Sequence, residues 1–189
     1  MSNRKQIIRN QLILLHCRRG DERGFDELIA AWERPLFYYV RRLVQSEEDA
    51  WDVLQEVWIR VARNIRHLRD AEAMTAWLYK IARNVAIDHL RRRPQVEPLD
   101  EMDEDALAAD DGPDPIVARH DAESIHWALG QLPWAHREAL TLFFLEGFQM
   151  NEIAEITGVP LGTVKSRLHY AKRAMRDLLE REAGKHEST

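Results

Sequence analysis

Apolar side chains recur at helical spacing through most of this chain. Between residues 25 and 44, Phe25, Leu28, Ile29, Trp32, Leu36, Phe37, Val40 and Leu43 fall largely three and four apart, which predicts an amphipathic helix. Residues 52–68 place Leu54, Trp58, Val61, Ile65 and Leu68 on one stripe. A third helix over roughly 74–92 carries Met74, Trp77, Leu78, Ile81 and Val85, and stops at "RRRP", where Pro94 disfavours helix in the residue before it. After residue 121 the pattern resumes. Ile125, Trp127, Ala128, Leu129 and Leu132 mark a helix that ends near Gly130–Pro133, and "HREALTLFFLEG" predicts another, closed by Gly147. "MNEIAEITG" and "LGTVKSRLHYAKRAMRDLLERE" complete the series. No strand-like alternation, internal repeat or Gly-rich phosphate loop interrupts it. The fold class expected is all-α.

Between the two helical blocks, "PQVEPLDEMDEDALAADDGPDP" (94–115) has four Pro, one Gly, a run of acids and no sustained apolar period. Like charges extend such a chain and Pro interrupts helices, so it reads as a linker. The expected organisation is two small helical domains, 1–93 and 123–189, joined by an acidic flexible linker, 94–122.

Charge sharpens this division. The 189 residues carry a net −5, but residues 1–95 sum to +5, residues 96–122 to −9 and residues 123–189 to −1. Asymmetry of this kind points to interaction surfaces. With 45% hydrophobic and 31% charged residues, the composition suits a globular protein rather than a disordered one. No apolar run approaches the ~18 residues of a membrane span, and the polar start "MSNRKQIIRN" has no signal-peptide h-region, so a cytoplasmic protein without membrane insertion is expected. A single cysteine, Cys17, excludes an internal disulfide.

Candidate chemistry concentrates near the C-terminus. "FQMNEIAEITGVPLGTVKSRLHYAKRAM" has the outline of a helix-turn-helix, whose second helix enters the DNA major groove. Ala154 lets the helices approach, Gly158 takes the turn at little conformational cost, and Pro160 presets φ for the second helix. By angle, Val164, Leu168, Ala171, Met175 and Leu178 form the stripe expected to face the core. Lys165, Ser166, His169 and Arg173 lie opposite, Lys172 and Arg176 on one flank and Arg167 on the other. A solvated helix face would interleave acids for i,i+4 pairing, yet no acid occurs between Glu155 and Asp177. The expectation is that Lys165, Ser166 and His169 meet base edges while Arg167, Lys172, Arg173 and Arg176 grip phosphates.

"LGTVKSRLHYAKRAM" resembles the recognition helix of bacterial sigma factors of the extracytoplasmic-function group. "DVLQEVWIRVARNIRHL" (52–68) and "AWLYKIARNVAIDHLRRR" (76–93) independently resemble the second-domain motifs of the same family. The likeness covers residues 25–93 and 123–180 in the family's order. It implies a protein that binds core RNA polymerase, reads a −35 element as duplex with its C-terminal domain and holds the melted −10 element with its N-terminal domain. It also implies control by an anti-sigma protein, and no cofactor or metal.

The resemblance assigns roles residue by residue. On helix 52–68, Asp52, Gln55, Glu56, Ile59, Arg60 and Arg63 point outward, and the family correspondence of Asp52, Gln55 and Glu56 makes this the expected polymerase contact. An outward Ile among charges is a modest sign of a partner surface, although a lone exposed apolar residue is common. On helix 76–93, Lys80, Asn84, Ile87 and Arg91 share one side with Arg83 nearby. The "RHLRDAEAMT" connection, with Arg66 and His67, offers polar groups to cradle a base turned out of the stack. Trp77 and Tyr79 offer planes, though Trp77 belongs to the apolar stripe. Asp88 also falls on that stripe and is expected to pair with an Arg, because a lone buried carboxylate is costly. Tyr170 joins the −35 set at a position where many relatives carry a basic residue. The linker acids are expected to mimic a phosphate backbone along polymerase's nucleic-acid path.

Two other classes compete. An enzyme would need a catalytic motif, and no nucleophile elbow, P-loop or H-E-x-x-H occurs; His16–Cys17 is the only adjacent His–Cys pair, and no second pair at finger spacing accompanies it. A ligand-sensing helix-turn-helix regulator would need a receiver or ligand pocket in the first block, which shows no βα pattern.

Overall fold

The computed structural model describes residues 3–44, 46–92 and 122–186. The chain divides into two compact units, Met1–Pro94 and Gln95–Thr189. The expected acidic linker and its phosphate-mimicking role fall outside the described residues, except that Ala122 opens a helix.

Among the described residues the first unit has four α-helices, α1 (Asn3–Arg19), α2 (Glu22–Leu43), α3 (Glu47–Asn64) and α4 (Met74–Arg91), with a short 3-10 turn over Ile65–His67. Helix α2 packs against α1, α3 and α4, and α3 also packs against α4. Leu28, Leu36, Val40, Val57, Val61, Leu78 and Ala82 fill the core, each essentially inaccessible to water. Tyr79 knits it together, its ring 5.0 Å from Tyr39 and 6.5 Å from Trp32. Helix starts have chemical causes. Asp21 accepts from Arg23 N at 3.1 Å and Ser46 from Asp49 N at 3.2 Å, satisfying amides that a first turn leaves open.

Helix α1 is an element the periodicity did not reveal. Its inner side is Asn10, Ile13, Leu14 and Cys17, but Ile8, Leu12 and Leu15 face water, so apolar residues occur around both sides and no single stripe emerges. The approach of α1 to α2 requires glycine. A Cβ on Gly24 would meet Cys17 N at 2.6 Å and His16 Cβ at 2.7 Å.

The second unit comprises α5 (Ala122–Gln131), α6 (Trp134–Leu140), α7 (Met150–Thr157) and the long α8 (Leu161–His186). All three shorter helices lie against α8. The helix expected over "HREALTLFFLEG" instead starts at Trp134 and widens into a π turn over Thr141–Leu145, before Gly147 reverses the chain at φ 76°. Arg137 is buried and donates to Gly130 O at 3.1 Å and Leu132 O at 3.0 Å, satisfying carbonyls at the end of α5. Desolvation pushes its guanidinium pKa down.

Candidate nucleic-acid interface

The turn between α7 and α8 is built by local chemistry. Gln149 caps α7 in a reciprocal box, with its amide donating to Glu152 Oε2 at 2.7 Å. Gly158 ends the helix in the left-handed region at φ 73°, ψ 21°, its N–H bonded to Ala154 O at 2.9 Å. Pro160 accepts from Val164 N at 3.1 Å and launches α8. The helix is anchored by Val164, Leu168, Ala171, Met175 and Leu179, all at most 3% exposed. Leu179 takes the place expected of Leu178, which is only half-buried.

The outward face of α8 differs from the expected one at three residues. Lys165, Arg173 and Arg176 are exposed, with His169 and Tyr170 half-buried, their rings 5.4 Å apart edge to face. Ser166 is 2% exposed and its hydroxyl donates to Gly162 O at 3.2 Å, so it bonds back into its own helix instead of presenting to a base. Lys172 is buried too. Its Nζ lies 5.8 and 5.5 Å from the Phe143 and Phe144 rings, where a cation is attracted to the π faces. Arg167 is half-buried and lines a narrow crevice with the fully buried Glu138 and with Thr157. The outward strip is therefore the exposed Lys165, Arg173 and Arg176 with the half-buried His169 among them. Its first turn also exposes Leu161 and Gly162; their place at the helix's leading end was the signal available in the sequence, because recognition helices use N-terminal residues.

In the first unit, the connection after α3 and the face of α4 enclose an open hollow of about 590 Å³, within the roughly 300–1,000 Å³ typical of small-molecule pockets. Asn64, Asp70 and Asn84 supply polar groups to its lining, Trp77 an aromatic surface, and Arg60, His67 and Arg69 cationic or titratable groups. Trp77 is half-buried rather than enclosed in the core. Of the expected −10 set, His67 and Asn84 line the hollow and are exposed. Lys80 and Arg91 are exposed and Arg83 half-buried elsewhere on α4, while the exposed Arg66 carries its guanidinium to within 3.8 Å of where a Cβ on Gly20 would lie, at the turn between α1 and α2. Ile87 departs from the expected set: it is 8% exposed and belongs to the core. Burying such a side chain gains about 2 kcal/mol, and angular position on a helix does not reveal the packing that provides it. Asn64, absent from the expected set, is the last residue of α3 and lines the hollow.

On α3, Asp52, Gln55, Ile59 and Arg63 are exposed and Glu56 and Arg60 half-buried. Arg60 bridges helices, bonding Glu56 at 3.0 Å and Asp88 at 3.1 Å. Its pKa is raised, first by the hydrogen bond to Glu56 and, more weakly, by Asp88. Asp88 thus has the Arg partner expected of it, but its side chain is 43% exposed rather than buried.

Comparison with known proteins bears on both units. Sigma-70 region 2 matches residues 28–95, and sigma-70 region 4 matches residues 122–175. The chain belongs to the RNA polymerase sigma factors of the extracytoplasmic-function group. It is 32% identical to the RNA polymerase sigma-H factor of Pseudomonas aeruginosa, covering 90% of this chain and 94% of that one. It is 31% identical to the ECF RNA polymerase sigma-E factor of Escherichia coli, over 88% and 92% of the two chains. The fold is shared with CnrH, solved in complex with the cytosolic domain of CnrY, at TM-score 0.68 and 22% identity over 91% and 97% of the chains. It is also shared with RpoE of Bartonella quintana, solved with the anti-sigma factor NepR, at TM-score 0.65 and 24% identity over 82% and 96%. Sigma factors are specificity subunits that bind core RNA polymerase and promoter DNA, rather than catalysts. Among the described residues, no helix of this sigma factor is long and apolar enough to cross a membrane.

Proposed function

We propose that this sigma factor binds core polymerase through the outward face of α3, holds a melted −10 strand along α4 and reads a −35 duplex with α8. The observation that carries the reading is a basic helix face in one unit and a hollow with polar and aromatic lining in the other. A convex basic strip on a helix suits a duplex groove, whereas a hollow with polar and aromatic lining suits an unstacked base. In this reading Lys165 and His169 approach base edges from the first turns of α8, with Leu161 beside them, and Arg173 and Arg176 neutralise phosphates. Asn84 and Asn64 hydrogen-bond a base turned out against Trp77, and Lys80 and Arg91 follow the strand. An anti-sigma protein holds the factor inactive in the cytoplasm until a signal releases it, a reading supported by the complex of the Bartonella factor with NepR.

Run-off transcription with purified core polymerase tests this. The wild-type protein is expected to support transcription from a cognate promoter only when core is present, which separates it from a regulator that binds promoter DNA tightly alone. Lys165→Ala should weaken −35 recognition by about 1–2 kcal/mol and relax the base preference at one position. Arg176→Ala should weaken all sequences alike and reduce the salt slope by about one. Equal loss on every promoter for both variants would remove Lys165 from base reading.

A further inference from the structure

One wall of the hollow beside α4 is formed by the connection that follows α3. Ile65 and Ala71 are buried and seat that connection on the core. Between them Arg66, His67, Arg69 and Asp70 are exposed and Leu68 is half-buried. His67, Leu68, Arg69 and Asp70 line the hollow together with Trp77, Ile81 and Asn84 of α4. The connection's own bonds are local: Leu68 N donates to Ile65 O at 3.2 Å, Glu72 N to Asp70 Oδ1 at 2.8 Å and Met74 N to Ala71 O at 3.3 Å. Bonds of this kind shape turns, but they do not fix where the exposed stretch stands relative to α4.

Helix α1 supplies that reference. The guanidinium of Arg18 donates to Leu68 O, midway between the two buried residues. Arg66 crosses in the other direction, its guanidinium 3.8 Å from the place of a Cβ on Gly20, just past the end of α1. Further up α1, Asn10 is 1% exposed and donates to Thr75 Oγ1 at 3.4 Å, in the first turn of α4 and shortly before Trp77. A single helix, seated in the core by Ile13, Leu14 and Cys17, is therefore bonded to both walls of the hollow. None of the DNA roles proposed above falls on it.

A surface arginine on a carbonyl often does little more than satisfy it. Here the carbonyl belongs to a residue that lines the site, and the bond falls on the stretch that core packing leaves outside. A site that reads one base by hydrogen bonds loses discrimination when its walls loosen by about 1 Å, because donors and acceptors no longer meet the base edge.

We infer that Arg18 is a positioning residue for base capture: through Leu68, α1 holds the wall of the hollow in the place that decides which base is accepted. The inference rests on the −10 reading above. Holoenzyme assembled from the full chain and purified core tests it. The probe is fork-junction DNA from a promoter that the factor transcribes, duplex through the −35 element and unpaired at −10, carrying each of the four bases in turn at the unpaired positions. Arg18→Ala should weaken binding of the preferred base about 10-fold and of the other three much less, with the salt slope, core affinity and thermal midpoint unchanged. Arg18→Lys, which keeps a donor on a long stem, should fall between the two. An equal loss on all four bases with a shallower salt slope would make Arg18 a phosphate contact and overturn the inference. So would binding and discrimination within twofold of wild type, or a loss that follows a lowered midpoint or weaker core binding. Asn84→Ala separates the two levels. If it abolishes discrimination and Arg18→Ala does not, the −10 reading stands and the brace falls. If neither variant changes discrimination, both fall.

Discussion

Cys17 is 5% exposed on the inner side of α1. Burial pushes its thiol pKa up, Glu27 adds to the shift and Arg66 opposes it. The folded protein therefore keeps the thiol proton at a pH where the unfolded chain gives it up. Its contribution to stability is full below the unfolded value of about 8.5 and is lost as pH rises through the folded value. Denaturant titrations at pH 7 to 10 should show stability declining more steeply in wild type than in Cys17→Ala; parallel curves would contradict this. Alkylation at neutral pH should likewise be slow. Other single residues show where a sequence stops being informative. Angular position placed Ser166 and Lys172 on the outward side of α8, but it specifies where a Cα–Cβ bond points and not where the side chain ends. Ser166 is short enough to bond its own helix, and the long Lys172 stem carries its charge to two aromatic rings.

At the scale of elements, the joint between α1 and α2 is the most demanding. With backbone and Cβ atoms of α1 within 2.8 Å of the added carbon, Gly24→Ala has no flexible neighbour to displace. It should destabilise the first unit by about 1–3 kcal/mol, read as a lowered denaturation midpoint with an unchanged slope. Helices α2, α3 and α4 were legible because each buries one stripe, and the turn before α8 because Gly158 and Pro160 have few other uses. Helix α1 was not, since the side chains of Ile8, Leu12 and Leu15 obscure its buried face. Nor was the π turn at Thr141–Leu145, because wider winding has no distinctive apolar period.

For the whole molecule, the family and its two sigma-70 regions could be read from motifs, whereas the hollow beside α4 required the fold. Asn64, Asp70 and Trp77 are separated in sequence and converge only when the α3–α4 connection is closed. In the proposed reading Asn84 on α4 serves base capture and takes no part in the polymerase contact on α3, so the two activities should fail separately. Asn84→Ala is expected to reduce promoter opening several-fold, measured by permanganate reactivity of unpaired thymines, with core affinity within twofold of wild type. Loss of both together would mean that Asn84 supports the domain rather than the strand.

The two-sided construction of α8 has a consequence for how such a protein changes over generations. Its hold on the body of the unit comes from Val164, Leu168, Ala171, Met175 and Leu179, with Lys172 seated over Phe143 and Phe144. The groups proposed to meet DNA lie outside that hold. Substitutions at Lys165, His169 or Arg173 can accumulate with little cost to folding, so promoter preference is free to drift while the scaffold stays constant. A lineage can duplicate the gene and retarget the copy to new promoters without first having to restabilise it.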